Sequence, residues 1–308
     1  MPFVSFVLPA YKGRFLREAI ANILAQTHAD FELVVVDDAS PDAIKEIVDG
    51  FDDPRVSYHR NDRNIGGGDL VGAWQKALSY ARGEWCVLAS DDDLYEPQFL
   101  ERMVALAAKY PRVDLVHSRT KIIDGNGKII GLSPAKRELE SAIGMMYDRT
   151  VGRADQFAPE FMFRLARLKE IGGFVRFPKA WYSDDATWLL MAANGCANCN
   201  EPLFSFRYSG VNISTQRVEI FDLVEAGRQY YGWARQYLDN YVCRDAIEAF
   251  MLSEARRRLE KRILGLIREQ MRETTWRERI NVFRHSKIPS AWKIECMKTV
   301  AKKVLLGR

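Results

Sequence analysis

The sequence predicts an α/β protein in which a mostly parallel sheet is sandwiched by helices and is followed by a helical C-terminal extension. Three observations lead to this prediction. Short apolar runs alternate with segments of helical periodicity through the first hundred residues, which is typical of strands buried on both faces of a parallel sheet. A hairpin pattern follows near residue 120, and helical periodicity continues from about residue 217.

The elements follow from local patterns in order. "VSFVLPAY" predicts a first strand stopped by Pro9, and apolar residues from Phe15 onward recur at helical spacing. "FELVVVDDAS" predicts the second strand, and Ser40-Pro41 predicts an N-cap with proline at the first helical position. A third strand near 56–59, a helix over about 70–81 and the strand "WCVLAS" come next. "DLVHSRTKIIDGNGKIIG" then predicts two strands joined by a turn.

Two acidic clusters follow predicted strands. Asp37-Asp38 end the second strand, and Asp91-Asp92-Asp93 follow the fourth. Ligands of open parallel sheets bind beyond the carboxyl ends of the strands. Adjacent carboxylates repel one another and need a cation or hydrogen-bond donors, and Mg²⁺ or Mn²⁺ suits such oxygen ligands. The alternative is a solvated acidic turn that caps the helix beginning near Pro97.

Composition is that of an ordinary globular protein and excludes disordered, collagen-like and disulfide-stapled classes. Residues 217–308 hold 20 Lys/Arg against 12 Asp/Glu, which leaves a net charge of −4 for residues 1–216 out of the total of +4. This asymmetry predicts a boundary near residue 217, between an acidic part over 1–216 and a basic helical region over 217–308. We expect no signal peptide, no membrane span and a cytoplasmic location, since no long apolar run occurs and the cysteines are few and scattered.

Two further motifs are better explained by structure than by chemistry. Cys196-x-x-Cys199 is a lone pair without the further ligands that a structural zinc requires, so packing is the favoured interpretation over a metal or redox role. Gly66-Gly67-Gly68 lacks the spacing of a dinucleotide-binding fingerprint. It is interpreted as a flexible loop at the edge of the sheet where ligands bind.

An ordered set of motifs carries a family resemblance. "VLPAYK", "VVVDDASPD", "NDRNIGG", "ARGEWCVLASDD", "LKEIGGF" and "YSDDATWLL" occur in this order between residue 3 and about residue 215. The set resembles the family 2 glycosyltransferases, which have the nucleotide-diphosphosugar transferase (GT-A) fold. The resemblance implies a nucleotide-sugar binding half over about 1–112 and an acceptor half over 113–216.

The resemblance also implies roles for individual positions. The nucleotide base and ribose would be held by these residues: Pro9, Ala10, Tyr11, Asp38, Asn64 and Asp91. Asp92 would hold Mn²⁺ or Mg²⁺, with Asp91-x-Asp93 as the alternative metal motif. Asp185 would be the general base with Asp184 as its neighbour. The pair also fits a helix N-terminus, and the two interpretations are compatible.

Some positions depart from the family pattern. Ala89 stands where an acid often precedes the acidic pair, and Trp74-Gln75 replaces a common Arg-Asn pair, which puts a phosphate contact in doubt. The chain has neither the late histidine that some members use as a metal ligand nor Gln-x-x-Arg-Trp, so a processive synthase is not expected. Arg207 and Ser214 are weak candidates for the diphosphate.

The expected function is a metal-dependent, inverting, non-processive glycosyltransferase that moves a sugar from a UDP-sugar to a glycan or lipid-linked acceptor. Two alternatives stay open. A nucleotidyltransferase of related fold would need a glycine-rich loop with a catalytic Arg or Lys after the first strand, and "PAYKGRF" matches this poorly. A non-catalytic, transferase-like binding protein would use the helical tail to contact a partner.

The terminal stretch "SAWKIECMKTVAKKVLLGR" predicts a basic amphipathic helix with Trp292, Met297, Val300, Val304 and Leu305 near one side. Such a helix can lie on anionic lipid, which would place the protein at the inner face of the plasma membrane. The favoured alternative is packing on the catalytic domain or in a dimer interface, so a homo-oligomer is left open. Nucleic acid is not an expected partner, because the N-terminal part is acidic and no RNA-binding aromatic motif occurs.

Overall fold

The structure is a computed structural model that describes residues 4–154, 156–210, 219–271, 276–284 and 288–294. The strands are β1 (Val4–Ala10), β2 (Phe31–Asp37), β3 (Val56–Arg60), β4 (Trp85–Leu88), β5 (Leu94–Tyr95), β6 (Leu115–Asp124), β7 (Ile129–Leu132), β8 (Leu139–Glu140), β9 (Phe161–Arg164) and β10 (Cys196–Tyr208). The helices are α1 (Leu16–Leu24), α2 (Ile44–Asp49), α3 (Leu70–Leu78), α4 (Phe99–Lys109), α5 (Ala142–Val151), α6 (Leu165–Glu170), α7 (Ser183–Met191), α8 (Ile220–Asn240), α9 (Ala246–Gln270) and α10 (Trp276–Arg284).

One sheet joins all the described strands in the order β3-β2-β1-β4-β9-β6-β10-β5, with β7 paired to β6 and β8 paired to β10. The longest ladders, β1 with β2 and β6 with β10, are parallel. Shorter antiparallel pairs complete the sheet, and β9 runs antiparallel between β4 and β6. The predicted α/β class, with its mostly parallel sheet between helices, is confirmed.

The central strands are mostly apolar because both faces of the sheet are covered. One face packs against α1, α2 and α4 through a cluster that includes Leu16, Ile20 and Phe99. The other face packs against α3, α5 and α7 to α9 through a cluster that includes Leu115 and Trp188. Successive side chains of a strand alternate between these two clusters, so β2, with its apolar run Leu33 to Val36, is buried along its whole length.

The helical C-terminal region packs on this second face. The predicted apolar stripe of α9 is buried at Leu252, Ala255, Leu259 and Ile263, in the same cluster as the sheet residues. Trp292 is also buried, and its indole N–H donates to Glu260 Oε1 at 2.7 Å. These contacts fit the packing interpretation of the tail. No helix in the described residues is both long and apolar enough to cross a membrane.

Several predictions fall on residues that the structure does not describe. The boundary between 216 and 217 and the diphosphate candidate Ser214 lie within 211–218. The remainder of the terminal stretch, with Met297, Val300, Val304 and Leu305, lies within 295–308. The homo-oligomer stays a prediction.

One local prediction is wrong. Ser40 does not cap a helix, because α2 begins only at Ile44, after Ala43. The Ser40 hydroxyl instead donates to the Tyr11 carbonyl at 2.6 Å and accepts from the Asp42 N–H at 3.0 Å. These bonds join the loop after β2 to the loop after β1. The turn residues therefore organise the edge of the sheet rather than a helix start.

Candidate active site

Asp91 joins the two loops that follow the adjacent strands β1 and β4. Its Oδ2 accepts hydrogen bonds from the backbone N–H groups of Tyr11 at 2.9 Å and Lys12 at 2.8 Å. The Tyr11 side chain remains 41% exposed, so its ring is open to a ligand. The structure thus brings the first-strand motif Pro9-Ala10-Tyr11 and the acidic triplet together at one edge, as expected.

Asp93 is held by protein groups. Its side chain is buried, its Oδ2 accepts from the Ser90 hydroxyl at 2.5 Å, and its Oδ1 accepts from the Arg207 N–H at 2.9 Å. Burial is the main cause that raises the pKa of Asp93 well above its ordinary range, and the neighbouring Asp92 raises it further. These bonds fix the acidic loop to β10, which makes Asp93 the less suitable metal ligand of the triplet.

Asp92 lies between these two anchored acids. Burial, followed by the charge of Asp91, raises the pKa of Asp92 to about 6. The Arg207 guanidinium Nε donates to the Asp92 carbonyl at 2.8 Å and its Nη2 donates to Glu18 at 2.8 Å. Arg207 thus holds the backbone of the acidic loop. A bound cation would favour the ionised form of Asp92 that burial opposes.

The helix-cap interpretation of the triplet finds no support in these bonds. The described hydrogen bonds of Asp91 and Asp93 go to the loop after β1, to Ser90 and to β10. At the start of α4, the Leu100 N–H donates to Gln26 Oε1 at 2.8 Å, and the N-cap residue Gln98 makes no capping bond. The acids therefore organise the sheet edge rather than the helix.

Asp38 and Asn64 shape the glycine-rich loop beside this edge. Asp38 accepts from the Asn61 side chain at 2.7 Å and from the backbone N–H groups of Ile65 at 2.9 Å and Gly66 at 2.7 Å. Asn64 Oδ1 accepts from the Gly67 N–H at 2.6 Å. Both predicted nucleotide-binding residues lie at the same edge as Tyr11, and each also positions the loop backbone.

The second acidic pair lies in the first turn of α7, as the helix-start interpretation predicts. Asp185 forms a two-bond ion pair with Arg149 of α5: Nε donates to Oδ1 at 2.7 Å and Nη2 to Oδ2 at 2.8 Å. Arg149 Nη1 also donates to the Ala154 carbonyl at 2.9 Å. Sequence reasoning missed Arg149, because no motif surrounds it and its partner lies 36 residues away.

Asp184 has a different environment from Asp185. It is partly exposed, and burial followed by the charge of Asp185 raises the pKa of Asp184 to about 7, although Arg149 acts in the opposite direction. A carboxyl group with a pKa near neutrality is suited to proton transfer at physiological pH. The pair therefore divides into one acid fixed by an arginine and one acid poised to exchange a proton.

Backbone strain is concentrated beside Asp37-Asp38 and just before the Asp184-Asp185 pair. Among the described residues, the non-glycine residues with positive φ are Ala39 (53°), Lys179 (54°), Ala180 (60°) and Tyr182 (65°). Ala39 follows Asp37-Asp38, and the other three precede Asp184. The Tyr182 ring stacks on Tyr230 at 4.6 Å, which helps to hold the strained segment. Such strain is typical of functional sites.

The strained segment contacts the nucleotide-side loops. Lys179 Nζ donates to the Gly67 carbonyl at 3.5 Å, and Arg176 pairs with Asp69 and donates to Gln75 Oε1 at 2.8 Å. Gln75, one of the departures from the family pattern, is thus bound to this segment. The contacts bring the chain that leads into α7 against the loop that Asp38 holds. Asp38 and the Asp184-Asp185 pair accordingly border one region of the surface.

The described residues contain no group of three or more His, Cys, Asp or Glu placed to hold a metal ion without further ligands. This fits the habit of Mg²⁺ and Mn²⁺, which use one or two carboxylates and complete their shell with water and substrate phosphates. Cys196 and Cys199 are buried and free, and burial raises the pKa of both thiols. Their expected packing role fits these surroundings.

Comparison with known proteins identifies the family. The model of the family described as glycosyl transferase family 2 matches residues 5–172. The chain belongs to this family. The resemblance carried by the ordered motifs is therefore confirmed.

The curated relatives match part of the chain. The succinoglycan biosynthesis protein ExoO of Rhizobium meliloti is 40% identical over 108 residues, which is 35% of this chain and 30% of that protein. WfgD of Escherichia coli, a UDP-Glc:α-D-GlcNAc-diphosphoundecaprenol β-1,3-glucosyltransferase, is 29% identical over 44% of this chain and 52% of its own. The chain thus spans about one-third to one-half of these two relatives.

Solved structures match over nearly the whole chain. TarS 1–349 of S. aureus in complex with UDP-GlcNAc has a TM-score of 0.68 at 19% identity and covers 99% of this chain and 92% of that one. The mannosyltransferase PcManGT of Pyrobaculum calidifontis, in complex with GDP-Man and Mn²⁺, has a TM-score of 0.57 at 16% identity and covers 100% and 88%. These likenesses confirm the GT-A fold.

Proposed function

We propose that the protein is a metal-dependent, inverting, non-processive glycosyltransferase that moves a sugar from a UDP-sugar to a glycan or lipid-linked acceptor. The observation that carries the proposal is the position of Asp92. It lies in the acidic loop between the anchored carboxylates of Asp91 and Asp93, and its pKa is raised to about 6 by burial and by the charge of Asp91. A cation bound together with a diphosphate would offset the repulsion between the Asp91 and Asp92 carboxylates.

Each donor-side residue has a role. The Tyr11 ring and the loop shaped by Asp38 and Asn64 border the nucleotide base, and Asp91 binds the ribose while it fixes the Tyr11 backbone. Asp92 binds Mn²⁺ or Mg²⁺. The metal, when bound, offsets the charge that builds on the departing diphosphate. The Mn²⁺ in PcManGT and the UDP-GlcNAc in TarS support this assignment for the shared fold.

The base belongs to the second acidic pair. The family pattern matches Asp185, but both of its carboxylate oxygens already accept hydrogen bonds from Arg149, at 2.7 and 2.8 Å, so the ion pair occupies them. Asp184 is partly exposed and has the raised pKa. Asp184 is therefore the proton acceptor, and Asp185, fixed by Arg149, positions the pair and keeps negative charge beside it.

The reaction needs the metal-holding residue Asp92 and the base Asp184 on opposite sides of the sugar. An acceptor hydroxyl oxygen attacks the anomeric carbon while its proton passes to Asp184. The bond from that carbon to the phosphate oxygen breaks, and the nucleoside diphosphate leaves with the bonding electrons. Attack from the side opposite the leaving group inverts the configuration. The Lys179–Gly67 contact brings the segment that leads into Asp184 against the loop held by Asp38, which supports a base that faces the donor side.

The acceptor class is supported by the relatives. WfgD acts on a diphosphoundecaprenol-linked sugar and ExoO serves succinoglycan synthesis. A lipid-linked acceptor would place this protein at the cytoplasmic face of the membrane. Membrane contact through the C-terminal helices is less well supported, because the stripe of α9 and Trp292 are buried.

The first experiment is calorimetric titration with UDP, GDP and dTDP, each with and without Mn²⁺, on the wild type and on Asp92→Asn. We expect UDP to bind only with Mn²⁺ and the variant to lose at least tenfold in affinity, because the amide removes the charged ligand. Asp93→Asn is the matched control. It should retain metal-dependent binding if it folds, which circular dichroism checks.

The outcomes separate the candidates. Metal-dependent binding of GDP or dTDP instead would change the donor and keep the enzyme class. No binding of any nucleotide would overturn the proposal in favour of a non-catalytic binding protein.

A further inference from the structure

Three aromatic side chains form a surface at the end of β10. The rings of Phe157 and Phe206 stack with their centres 4.1 Å apart and their planes 17° apart. Both side chains are only half-buried, at the rim of the apolar cluster that packs against α1, α2 and α4. Tyr208 lies two residues beyond Phe206, on the same face of β10, and is 55% exposed. These three residues are called the aromatic shelf.

The backbone on both sides of the shelf is fixed. Phe157 precedes the turn Ala158–Glu160, and its N–H donates to Glu160 Oε1 at 3.2 Å. Glu160 is fully buried, and its other carboxylate oxygen accepts from the Thr120 hydroxyl of β6. Phe206 lies in the part of the β6–β10 ladder that has no register shift. The rings are therefore held in place before a ligand binds, which lowers the cost of ordering them.

The shelf is tied to both parts of the candidate active site. The residue after Phe206 donates its backbone N–H to Asp93 of the acidic loop at 2.9 Å. Arg149, which binds Asp185, also donates to the backbone carbonyl three residues before Phe157, at 2.9 Å. Hydrogen bonds of its own chain segments thus position the shelf relative to the acidic loop and to the second acidic pair.

The order of the strands places the shelf away from the nucleotide residues. Tyr11 and Asp38 follow β1 and β2, which lie on one side of β4 in the sheet. The shelf belongs to β10 and to the segment before β9, and both strands lie on the other side of β4. The acidic loop follows β4 and separates the two sets. The shelf is accordingly suited to the acceptor rather than to the nucleotide.

The chemistry of the shelf fits a sugar ring. An aromatic face carries negative potential. The C–H groups on the flat face of a pyranose carry slight positive charge, so the two surfaces attract when they stack. Sites for small ligands combine such aromatic surface with a few fixed polar groups. We propose that the aromatic shelf binds the pyranose ring of the acceptor and thereby presents its attacking hydroxyl to Asp184.

This proposal rests on the proposed function and deepens it, because it assigns the acceptor a pyranose with one flat C–H face. An acyclic polyol phosphate has no such face. The test is saturation-transfer NMR on the full chain with UDP and Mn²⁺. The probes are the methyl glycosides of glucose, N-acetylglucosamine and galactose, and ribitol 5-phosphate. We expect saturation of the ring C–H protons of at least one glycoside and none of ribitol phosphate.

The variant F157L/Y208S should lower the glycoside signal by about fivefold, because the stacking surface is removed. Y208S alone, at an exposed position, should lower it in part and keeps the test valid if the double variant does not fold. The matched control is F51L. Phe51 is a half-buried residue of the same apolar cluster that lies between α2 and β3. Its variant should keep the wild-type signal.

The proposal is overturned if the wild type saturates none of the glycosides, if ribitol phosphate is saturated instead, or if F51L loses as much signal as the shelf variants. UDP titration of the shelf variants with Mn²⁺ should match the wild type, and a folded variant that lost UDP would assign the shelf to the donor. Glycoside saturation in a protein that binds no nucleotide would refute the proposed enzyme and keep the shelf. Nucleotide binding without glycoside saturation would do the reverse.

Discussion

Arg149 fixes Asp185 of the Asp184-Asp185 pair through an ion pair, although no sequence motif surrounds Arg149. The side chain is 20% exposed and its partner Asp185 only 8%. Replacing Arg149 with Met leaves a buried carboxylate without its counter-ion. We expect Arg149→Met to lower the free energy of unfolding by about 3–5 kcal/mol, as for other broken buried ion pairs. Urea denaturation measures this loss.

The control for this substitution is Arg153→Met. Arg153 is exposed, and its guanidinium carbon lies 5.7 Å from the centre of the Tyr147 ring. The change should stay within about 0.5 kcal/mol, as for other surface substitutions. Equal effects of the two variants would show that the ion pair contributes nothing specific.

Asp184 gives the proposed reaction a pH dependence of definite sign. The base must be ionised, so kcat/KM should rise as the pH increases through about 7 and level off above it. Nucleotide release measured between acidic and alkaline pH gives the profile. Asp184→Asn should be nearly inactive, and Asp185→Asn should keep measurable activity with a shifted profile. The reverse ranking would assign the proton to Asp185.

The free energy of unfolding should fall as the pH rises, whereas kcat/KM should increase. The folded pKa of Asp184, about 7, lies above its ordinary value of 3.8, so its contribution to stability is fully present below that value and is lost as pH rises through about 7. Asp184→Asn should therefore become more stable relative to the wild type over this interval. Thermal unfolding of both proteins at several pH values checks this without any substrate. A pH-independent difference would contradict the shifted pKa.

At this scale, sequence identified acids and missed cations. Asp92 was marked by a run of acids after an apolar segment, which is a local signal, whereas the Asp184-Asp185 pair was marked by the family resemblance, which favoured Asp185 as the base. The roles of Arg149 and Arg207 depend on contacts between elements that are far apart in the sequence, which no local motif reveals. Arg207 was a weak candidate for the diphosphate, yet its guanidinium contacts Glu18 and the Asp92 carbonyl.

Among the elements, the connection into β4 depends on a close approach of two backbones. A Cβ atom at Gly83 would lie 2.6 Å from the Ser5 backbone N and 2.8 Å from the Trp85 carbonyl oxygen. Gly83→Ala should therefore lower the free energy of unfolding by about 1–3 kcal/mol, because backbone atoms must shift. Chemical denaturation gives the value.

Gly232→Ala is the counterpart within α8. Gly232 is exposed, and a Cβ atom there would meet nothing within 4 Å. The substitution should stabilise the protein by up to about 1 kcal/mol through helix propensity alone. A destabilised Gly232→Ala would mean that α8 has contacts beyond those described.

Periodicity was a reliable guide to the long elements and a poor one to the irregular ones. The hairpin was found from its Asp-Gly-Asn-Gly turn and confirmed as β6 and β7. Strand β9 is short, lies between a turn and α6, and has no alternation, so no pattern marked it. The Ser40-Pro41 signal failed because the Ser40 hydroxyl found partners in the neighbouring loop.

For the whole molecule, the shared apolar cluster has a thermodynamic consequence. Leu223 of α8 and Leu259 of α9 lie in the same cluster as Leu115 and Phe161 of the sheet. We expect a single unfolding transition in calorimetry, and Leu259→Ala should lower the stability of that one transition by about 2–5 kcal/mol. Two separable transitions would instead support independent domains divided near residue 217.

Charge asymmetry along the chain suggested that division, and it describes composition rather than packing. The positive charge of the helical C-terminal region is partly neutralised by ion pairs within that region. Glu254 pairs with both Arg257 and Arg258, and Glu248 pairs with Arg244. Sequence statistics count these charges without knowing their partners. The class of fold could thus be predicted, and the way the tail joins the core could not.

The strained residues beside the acids have a consequence for protein engineering. Lys179, Ala180 and Tyr182 hold left-handed backbone conformations that glycine or asparagine adopts with less strain. A screen for heat resistance alone would favour such replacements at these positions. A screen for turnover would reject them if the strain orients α7. Libraries sorted by both criteria should therefore diverge first in the four residues before Ser183.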